Sequence, residues 1–154
     1  LLAKNETSRK LLLDEVTELF IASGYKVSIF TPLSEMELIE QLPSILTKID
    51  VLVSPVPDSM IGSTMSLIAK ETKEKKIPFL VCLEHGARCG ALASRGVNYA
   101  KNGITAADML FAILEGEKKP YHFSVQQGSD EHIFVNCLVA KNFNIKESKK
   151  IIFC

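Results

Sequence analysis

The sequence predicts an α/β fold with an open, mainly parallel sheet and helices on both faces. Three observations predict it. Short apolar runs such as residues 51–53 and 78–83 are nearly continuous, which is typical of strands covered on both faces. Segments with helical periodicity separate these runs, and this alternation indicates βαβ units. The length of 154 residues, with 47% apolar residues, is that of one globular domain.

The first third of the chain predicts a helix between two strands. Residues 1–3 indicate the end of a strand, and the polar residues 5–8 supply N-cap candidates for a helix that ends at Gly24. One face of this helix carries four apolar side chains, namely Leu12, Val16, Leu19 and Phe20. Residues 26–30 are rich in β-branched and aromatic side chains and predict the next strand.

A second helix is predicted before the strand at residues 51–53. Ser34 and Glu37 have the spacing of a capping box, which indicates a helix running toward Lys48. Pro43 falls inside this span and has no backbone N–H. The helix is therefore expected either to kink there or to begin again at that proline.

The rest of the chain continues the alternation and then weakens. In order, we predict a helix at 60–75, a strand at 78–83, a short helical turn after residue 86, a strand at 91–98 and a helix at 102–115, which Gly116 and Pro120 end. Beyond residue 120 we expect strands near 123–125 and 133–135 and a short helix at 137–142. The polar stretch 126–131 predicts a boundary between a lobe at 1–126 and a C-terminal segment at 127–154.

Composition excludes several classes of protein. Lys+Arg and Asp+Glu both number 18, aromatic residues make up 7%, and Trp is absent, so neither nucleic acid nor an anionic membrane surface is an expected partner. No apolar run has the length of a membrane-spanning helix. The chain begins without Met, and we interpret it as a piece of a longer protein.

The motifs of catalysis, nucleotide binding and metal binding are missing. The sequence has no Gly-rich phosphate loop, and its four cysteines and three histidines fit no zinc-ligand spacing. His85 and Cys89 are four residues apart, but no Asn or Asp is placed by sequence to orient the histidine. We therefore expect no enzymatic activity, no cofactor and no metal.

The predicted topology selects four loops as the place for a ligand. In an open parallel sheet, ligands bind outside the carboxyl ends of the strands. The loops are 4–8, 55–59, 84–89 and 98–102. Asp58 and Ser59 either serve only as a helix N-cap or cap the helix and also contact a ligand. Glu84 directly follows an apolar strand, so its carboxylate lies either at a solvated edge or in a cleft, where it could hold an ammonium group, and we favour the cleft. For Tyr99, packing at the sheet edge is the alternative to ligand contact.

Several segments indicate a family when they are taken together in chain order. They are Pro57-Asp58-Ser59-Met60-Ile61-Gly62-Ser63, Lys76-Ile77-Pro78-Phe79, Gly90-Ala91-Leu92-Ala93, Gly96-Val97-Asn98-Tyr99 with Gly103, and Ile113-Leu114-Glu115-Gly116-Glu117-Lys118. They resemble the Thr-Asp-Asn-Thr loop, the Lys-Ile-Pro-Val strand entry, the Gly-Ala-Leu-Ala and Gly-x-Asp/Asn-Tyr segments and the Ile-Leu-x-Gly-Glu-Lys helix end of the solute-binding proteins of ABC importers. The resemblance is to the branch that includes tryptophan- and tyrosine-binding members. The tail from Phe134-Val135-Asn136 to Asn144-Ile145 is similar to that family's ending.

The resemblance implies one lobe, the second, of a two-lobed extracytoplasmic protein with the periplasmic-binding-protein fold. Such a protein clamps a small solute between its lobes and delivers it to an ABC permease in the membrane, and the resemblance implies an amino acid, aromatic ones included, as the solute. The resemblance places six residues in this lobe's half of the cleft: Asn5, Asp58, Ser59, Glu84, Asn98 and Tyr99. Glu84 would take an amino group, while Ser59 and helix-start N–H groups would take a carboxylate or hydroxyl.

The same resemblance has consequences for partners and location. Residues 127–154 are expected to cross toward the missing first lobe, or else to bury their apolar side against a second copy. The parent protein would lie in the periplasm or at the cell surface, with a lipid anchor possible. The sequence departs from the family at Asp58-Ser59, where Asp-Asn is usual, and at Glu84-His85-Gly86, where an acidic-polar loop is common.

Two alternatives remain open from the sequence. The same fold serves as the ligand-sensing domain of transcription regulators and receptors, and the segment that precedes residue 1 in the parent gene would discriminate. A flavodoxin-like enzyme or signalling domain is the other alternative, and it is disfavoured because no conspicuous acidic cluster follows the first strand.

Overall fold

The computed structural model describes residues 1, 7–55, 59–83, 85–126, 131–145 and 152–153. Helices and strands are interspersed through these ranges, with α1 followed directly by α2 and β2 by β3. They are α1 (Thr7–Ala22), α2 (Glu35–Ile45), β1 (Leu52–Ser54), α3 (Ser59–Glu74), β2 (Phe79–Val81), β3 (Ala93–Val97), α4 (Tyr99–Leu114), a 3-10 turn (Pro120–His122), β4 (Glu131–Val135), α5 (Cys137–Asn142) and β5 (Ile152–Phe153).

The five strands form one open sheet in the order β1-β2-β3-β4-β5. The β1–β2, β2–β3 and β4–β5 pairs are parallel, whereas β3 and β4 run antiparallel with Ser94 opposite Phe134. The predicted mainly parallel α/β sheet is confirmed. The antiparallel pair had not been predicted.

One face of the sheet is covered by α2 and α3. Leu52, Phe79 and Val81 point to this face and belong to a core cluster with apolar residues of both helices. The helix residues of this cluster are Leu38, Leu42, Leu46, Met60, Ile61, Met65, Ile68 and Ala69. Full burial of one large apolar side chain stabilises a fold by about 1.5–3 kcal/mol. This cluster buries many such side chains and is therefore the main core.

The opposite face is covered by α5. Leu80, Ala93 and Val135 are aligned across three neighbouring strands, and they pack with Val139 and Ala140 of the helix. Because side chains alternate along a strand, Leu80 points away from the face that Phe79 and Val81 occupy. Helices therefore lie on both faces, as predicted.

The start of α2 agrees with the capping-box prediction. The Ser34 hydroxyl accepts a hydrogen bond from the Glu37 N–H at 3.2 Å, and the Glu37 carboxylate accepts one from the Leu33 N–H at 2.8 Å. The helix passes through Pro43 and ends at Ile45. The alternative that a new helix begins at Pro43 is therefore wrong. Pro43 lacks a backbone N–H, and it lies in the last turn of α2.

The inward face of α1 agrees with the prediction in part. Val16 and Phe20 are half-buried as predicted, but Leu13, at 7% exposure, takes the inward place, while Leu12 and Leu19 are 43% and 69% exposed. Three consecutive leucines leave the orientation of the helix ambiguous, and packing selects the third. The predicted end of the helix is confirmed, because Gly24 has a φ of +85° and the Tyr25 N–H donates to the Phe20 carbonyl at 3.0 Å.

Two predicted strands are absent from the described ranges. Residues 26–30 form no regular strand, although the Phe30 N–H donates to the Leu1 carbonyl at 2.8 Å. Residues 123–125 are also not a strand, because the chain makes a 3-10 turn at Pro120–His122 directly before them. Pro120 supplies the fixed φ that suits the first position of such a turn.

The C-terminal residues 131–145 pack on this sheet through β4 and α5. Residues 127–130, 146–151 and 154 lie outside the described ranges. The boundary at 126/127 and the crossing toward a first lobe stay predictions.

Candidate functional site

The candidate site is the edge of the sheet where β1, β2 and β3 end. These three strands are parallel, so their carboxyl ends lie at the same edge. The α3 and α4 helices begin just after β1 and β3, and a tight turn at 85–90 follows β2. Backbone N–H groups at the start of a helix favour a negatively charged ligand. The positive ends of two helices therefore lie at this edge.

Three of the six predicted site residues are described. Ser59 is the exposed first residue of α3, and Asn98 and Tyr99 stand at the start of α4. All three lie at the predicted edge of the sheet. The other three, Asn5, Asp58 and Glu84, lie outside the described residues.

Asn98 is the N-cap of α4. Its side-chain oxygen accepts a hydrogen bond from the Lys101 N–H at 3.0 Å. The helix consequently begins at Tyr99, three residues before the predicted start at Asn102. The Tyr99 side chain is 67% exposed, so it does not pack against the sheet edge. The predicted strand at 91–98 is shorter in the structure, where it spans Ala93–Val97, so Asn98 and Tyr99 lie after the strand and not at its end.

The turn at 85–90 is compact and lies against the sheet. The Cys89 N–H donates to the carbonyls of His85 and Gly86, both at 3.1 Å. A Cβ on Gly86 would collide with Cγ1 of Val81 and would stand 3.2 Å from Cβ of Ser94. Position 86 therefore has no room for a side chain where the turn crosses β2 and β3. The predicted short helical turn is confirmed.

Ala87, at the centre of this turn, is held on both sides of its backbone. Its N–H donates to the Ser94 hydroxyl at 3.1 Å, and its carbonyl accepts a hydrogen bond from the Asn136 side-chain nitrogen at 2.8 Å. Ala87 is fully buried. Two remote side chains, one on β3 and one after β4, therefore determine the path of the loop that follows Glu84.

Asn136 had not been predicted to support the site. Its side-chain oxygen also caps α5 by accepting hydrogen bonds from the Leu138 and Val139 N–H groups, both at 3.0 Å. An asparagine before a short apolar helix is a cap signal that the sequence does carry. Its contact with Ala87 joins residues 49 positions apart, and no local pattern indicates such a contact.

Ser54 is a second residue that the sequence analysis missed. It ends β1 and is fully buried, and its hydroxyl has no hydrogen-bond partner among the described residues. An unsatisfied buried hydroxyl costs about 1–3 kcal/mol. The sequence signal that could have identified Ser54 is its position directly after the apolar residues 51–53.

Neither a metal-ligand cluster nor a membrane-spanning helix is present in the described part of the chain. Its His, Cys, Asp and Glu side chains form no group of three that could ligate a metal ion. None of its helices combines the length and the apolar character needed to cross a bilayer.

Comparison with known proteins identifies relatives in sequence. A family model described as ABC transporter substrate binding protein matches residues 5–153. A tyrosine-binding protein of Clostridioides difficile (strain R20291) is 31% identical over 113 residues. That alignment covers 73% of this chain and 32% of the relative.

Solved structures show the same architecture. A ligand-free, open substrate-binding protein with adhesive properties from Clostridium difficile matches with a TM-score of 0.81 and 28% identity. A conserved domain protein from Vibrio cholerae (TM-score 0.78, 23% identity) and an ABC domain in complex with L-Trp from a Streptococcus (TM-score 0.78, 21% identity) share the fold. Each match covers 99% of this chain, and 52%, 52% and 54% of the three structures respectively. The chain thus spans about half the length of these structures.

Proposed function

The chain belongs to the family of ABC transporter substrate-binding proteins, and we propose that it forms one lobe of a protein that binds an amino acid, most suitably an aromatic one, for import. The observation that carries the proposal is the family match over residues 5–153, joined with 31% identity to a tyrosine-binding protein. The sequence-based assignment to this family is confirmed.

The ligand site of the proposal is the carboxyl edge of β1, β2 and β3. Ser59 would bind the ligand carboxylate, because it stands at the positive end of a helix of 16 residues. Glu84 would bind the ammonium group. The exposed Tyr99 ring would pack on an aromatic ligand side chain. Asn5, Asp58 and Asn98 complete this half of the cleft.

A second lobe would close over this edge and bury the ligand. Two observations support a missing partner surface. The chain spans about half of the structural relatives. In addition, α4 has no buried residue, and its Ile104, Phe111 and Leu114 side chains are 62%, 62% and 72% exposed. Exposed apolar area of this kind marks an interaction surface. The first lobe is the occupant that we propose, and a second copy of this chain is the competing one.

Closure around the ligand would let the parent protein dock on a membrane permease and deliver the solute. This role places the parent outside the cytoplasm, in the periplasm or at the cell surface. It also requires no catalysis, in keeping with relatives that are described as substrate-binding proteins.

The test is a thermal-shift measurement on the full-length parent protein. A ligand that binds the folded state raises the melting temperature by mass action, by an amount equivalent to about 2.7 kcal/mol at 100 times its Kd. We expect L-tyrosine or L-tryptophan to produce such a shift and D-glucose and adenosine to produce none. A shift with a sugar or nucleoside alone would overturn the proposed ligand class.

A further inference from the structure

We propose that Asn136 is a positioning residue for the ligand-binding edge, which it serves by holding the loop after β2 through Ala87. This inference rests on the proposed function, since it concerns how the same site is shaped. Asn136 stands between β4 and α5. It is not among the residues assigned to the ligand.

The oxygen and the nitrogen of the Asn136 side-chain amide bind different partners. The oxygen accepts two hydrogen bonds from the first turn of α5, at 3.0 Å each. The nitrogen donates to the Ala87 carbonyl at 2.8 Å. Serine and aspartate cap helices as well as asparagine does, but neither has an amide donor. The cap alone therefore does not require asparagine, whereas the contact with Ala87 does.

The backbone of Asn136 is itself fixed by the sheet. Its N–H donates to the Leu92 carbonyl at 3.0 Å, just beyond the antiparallel pairing of Ala93 with Val135. The residue is thus anchored before its side chain reaches the loop. Ala87 cannot leave its place without breaking its hydrogen bonds to Asn136 and Ser94. The loop that contains Ala87 is held in the same way.

The loop that Asn136 holds through Ala87 directly follows Glu84, the residue proposed to bind the ammonium group of the ligand. Gly86 and Ala87 follow Glu84 by two and three residues. Gly86 also lies against Val81 and Ser94, so the loop is packed on the sheet beside the residue that Asn136 holds. Without the Asn136 donor, the buried Ala87 carbonyl keeps the hydrogen bond from the Gly90 N–H at 3.2 Å but loses the shorter one, and this loss shifts the opening equilibrium of the loop by about tenfold.

The first experiment uses the 154-residue chain and needs no ligand. Amide hydrogen exchange is compared for the wild type, Asn136→Asp and Asn136→Ser, with Ser34→Ala as a matched control that removes a helix cap far along the sequence from the loop. We expect exchange of residues 86–91 to accelerate about tenfold in both Asn136 variants, with β1 and α3 unchanged. The Ser34→Ala variant is expected to leave 86–91 unchanged. Equal exchange of 86–91 in the wild type and both Asn136 variants would overturn the proposal.

The second experiment measures L-tyrosine and L-tryptophan affinity in the full-length parent. Asn136→Ser is expected to weaken binding several-fold, while Ser34→Ala weakens it little even if it lowers the melting temperature as much. Unchanged affinity in the Asn136 variants, with a wild type that binds, also overturns the positioning role. If the wild-type parent binds neither amino acid, the proposed ligand is wrong, and the exchange result alone decides whether Asn136 holds the loop.

Discussion

The side-chain nitrogen of Asn136 lies 2.8 Å from the carbonyl oxygen of Ala87, 49 residues earlier in the chain. This hydrogen bond joins the start of α5 to the loop that follows β2. Under the proposal made above, the shape of the ligand edge depends on a segment to which no ligand contact is assigned. Variation at the β4–α5 junction is therefore expected to affect binding.

Glu84 is the sharpest test of the ligand assignment. Glu84→Gln in the full-length parent keeps the shape of the side chain but removes its charge. The loss of a charged hydrogen bond to an ammonium group corresponds to about 1.5–3 kcal/mol, or a 10- to 150-fold weaker Kd. Isothermal titration with L-tyrosine measures it, with Glu74→Gln at the far end of α3 as the control. An unchanged Kd for Glu84→Gln would remove Glu84 from the site.

Ser54 and Ser94 are expected to respond oppositely to the same substitution. Both are buried, but the Ser94 hydroxyl accepts the Ala87 N–H, whereas the Ser54 hydroxyl has no partner in the described part of the chain. Ser94→Ala should lower the free energy of unfolding by about 1–3 kcal/mol, and Ser54→Ala should leave it equal or raise it by up to about 1 kcal/mol. Urea unfolding of the two variants measures the difference. A large loss in Ser54→Ala would reveal a partner for its hydroxyl.

Gly86 and Gly62 form a second matched pair. A Cβ on Gly86 would collide with the Val81 side chain, whereas a Cβ on Gly62 in α3 meets nothing within 4 Å. Gly86→Ala should destabilise the fold by about 1–3 kcal/mol through overpacking. Gly62→Ala should stabilise it by about 0.5–1 kcal/mol through helix propensity. Thermal unfolding checks both, and a stable Gly86→Ala would mean that the loop has a second packed position.

Asn98 separates capping from ligand contact. Asn98→Ala removes the bond to the Lys101 N–H and should cost about 1 kcal/mol of stability, while Asn98→Ser retains a capping hydroxyl and should cost only a few tenths. In the full-length parent, Asn98→Ser should still weaken L-tyrosine binding if the amide contacts the ligand. Wild-type affinity in Asn98→Ser would assign the residue to the cap alone.

Lys76 provides a test of backbone strain at the end of α3. It has a φ of +56°, and the Ile77 N–H donates to the Thr72 carbonyl at 2.8 Å, so Lys76 occupies the left-handed position where glycine is usual. Lys76→Gly should raise the free energy of unfolding by up to about 1 kcal/mol. Lys76→Ala controls for the lost charge, since alanine retains the strain. Equal stability of the two variants would contradict this expectation.

Local signals in the sequence were sufficient for most helices and for the class of the fold. Capping residues such as Ser34 and the positive-φ Gly24 act on their own neighbours, and the apolar runs before and after α3 encode burial within a few residues. The rule that ligands bind at the carboxyl ends of parallel strands then located the candidate edge, where Ser59, Asn98 and Tyr99 lie. Asn5, Asp58 and Glu84 stay predictions, because they fall outside the described residues.

The tertiary structure decided what depends on distant partners. Leu13 rather than Leu12 packs inward, β4 pairs antiparallel with β3, and Asn136 reaches Ala87, although nothing within a few residues of each specifies these outcomes. The sequence by itself determined the alternation of elements, the family and the edge of the sheet proposed to bind the ligand. The fold decided which side chains hold that edge in place, because such contacts form only after packing brings remote segments together.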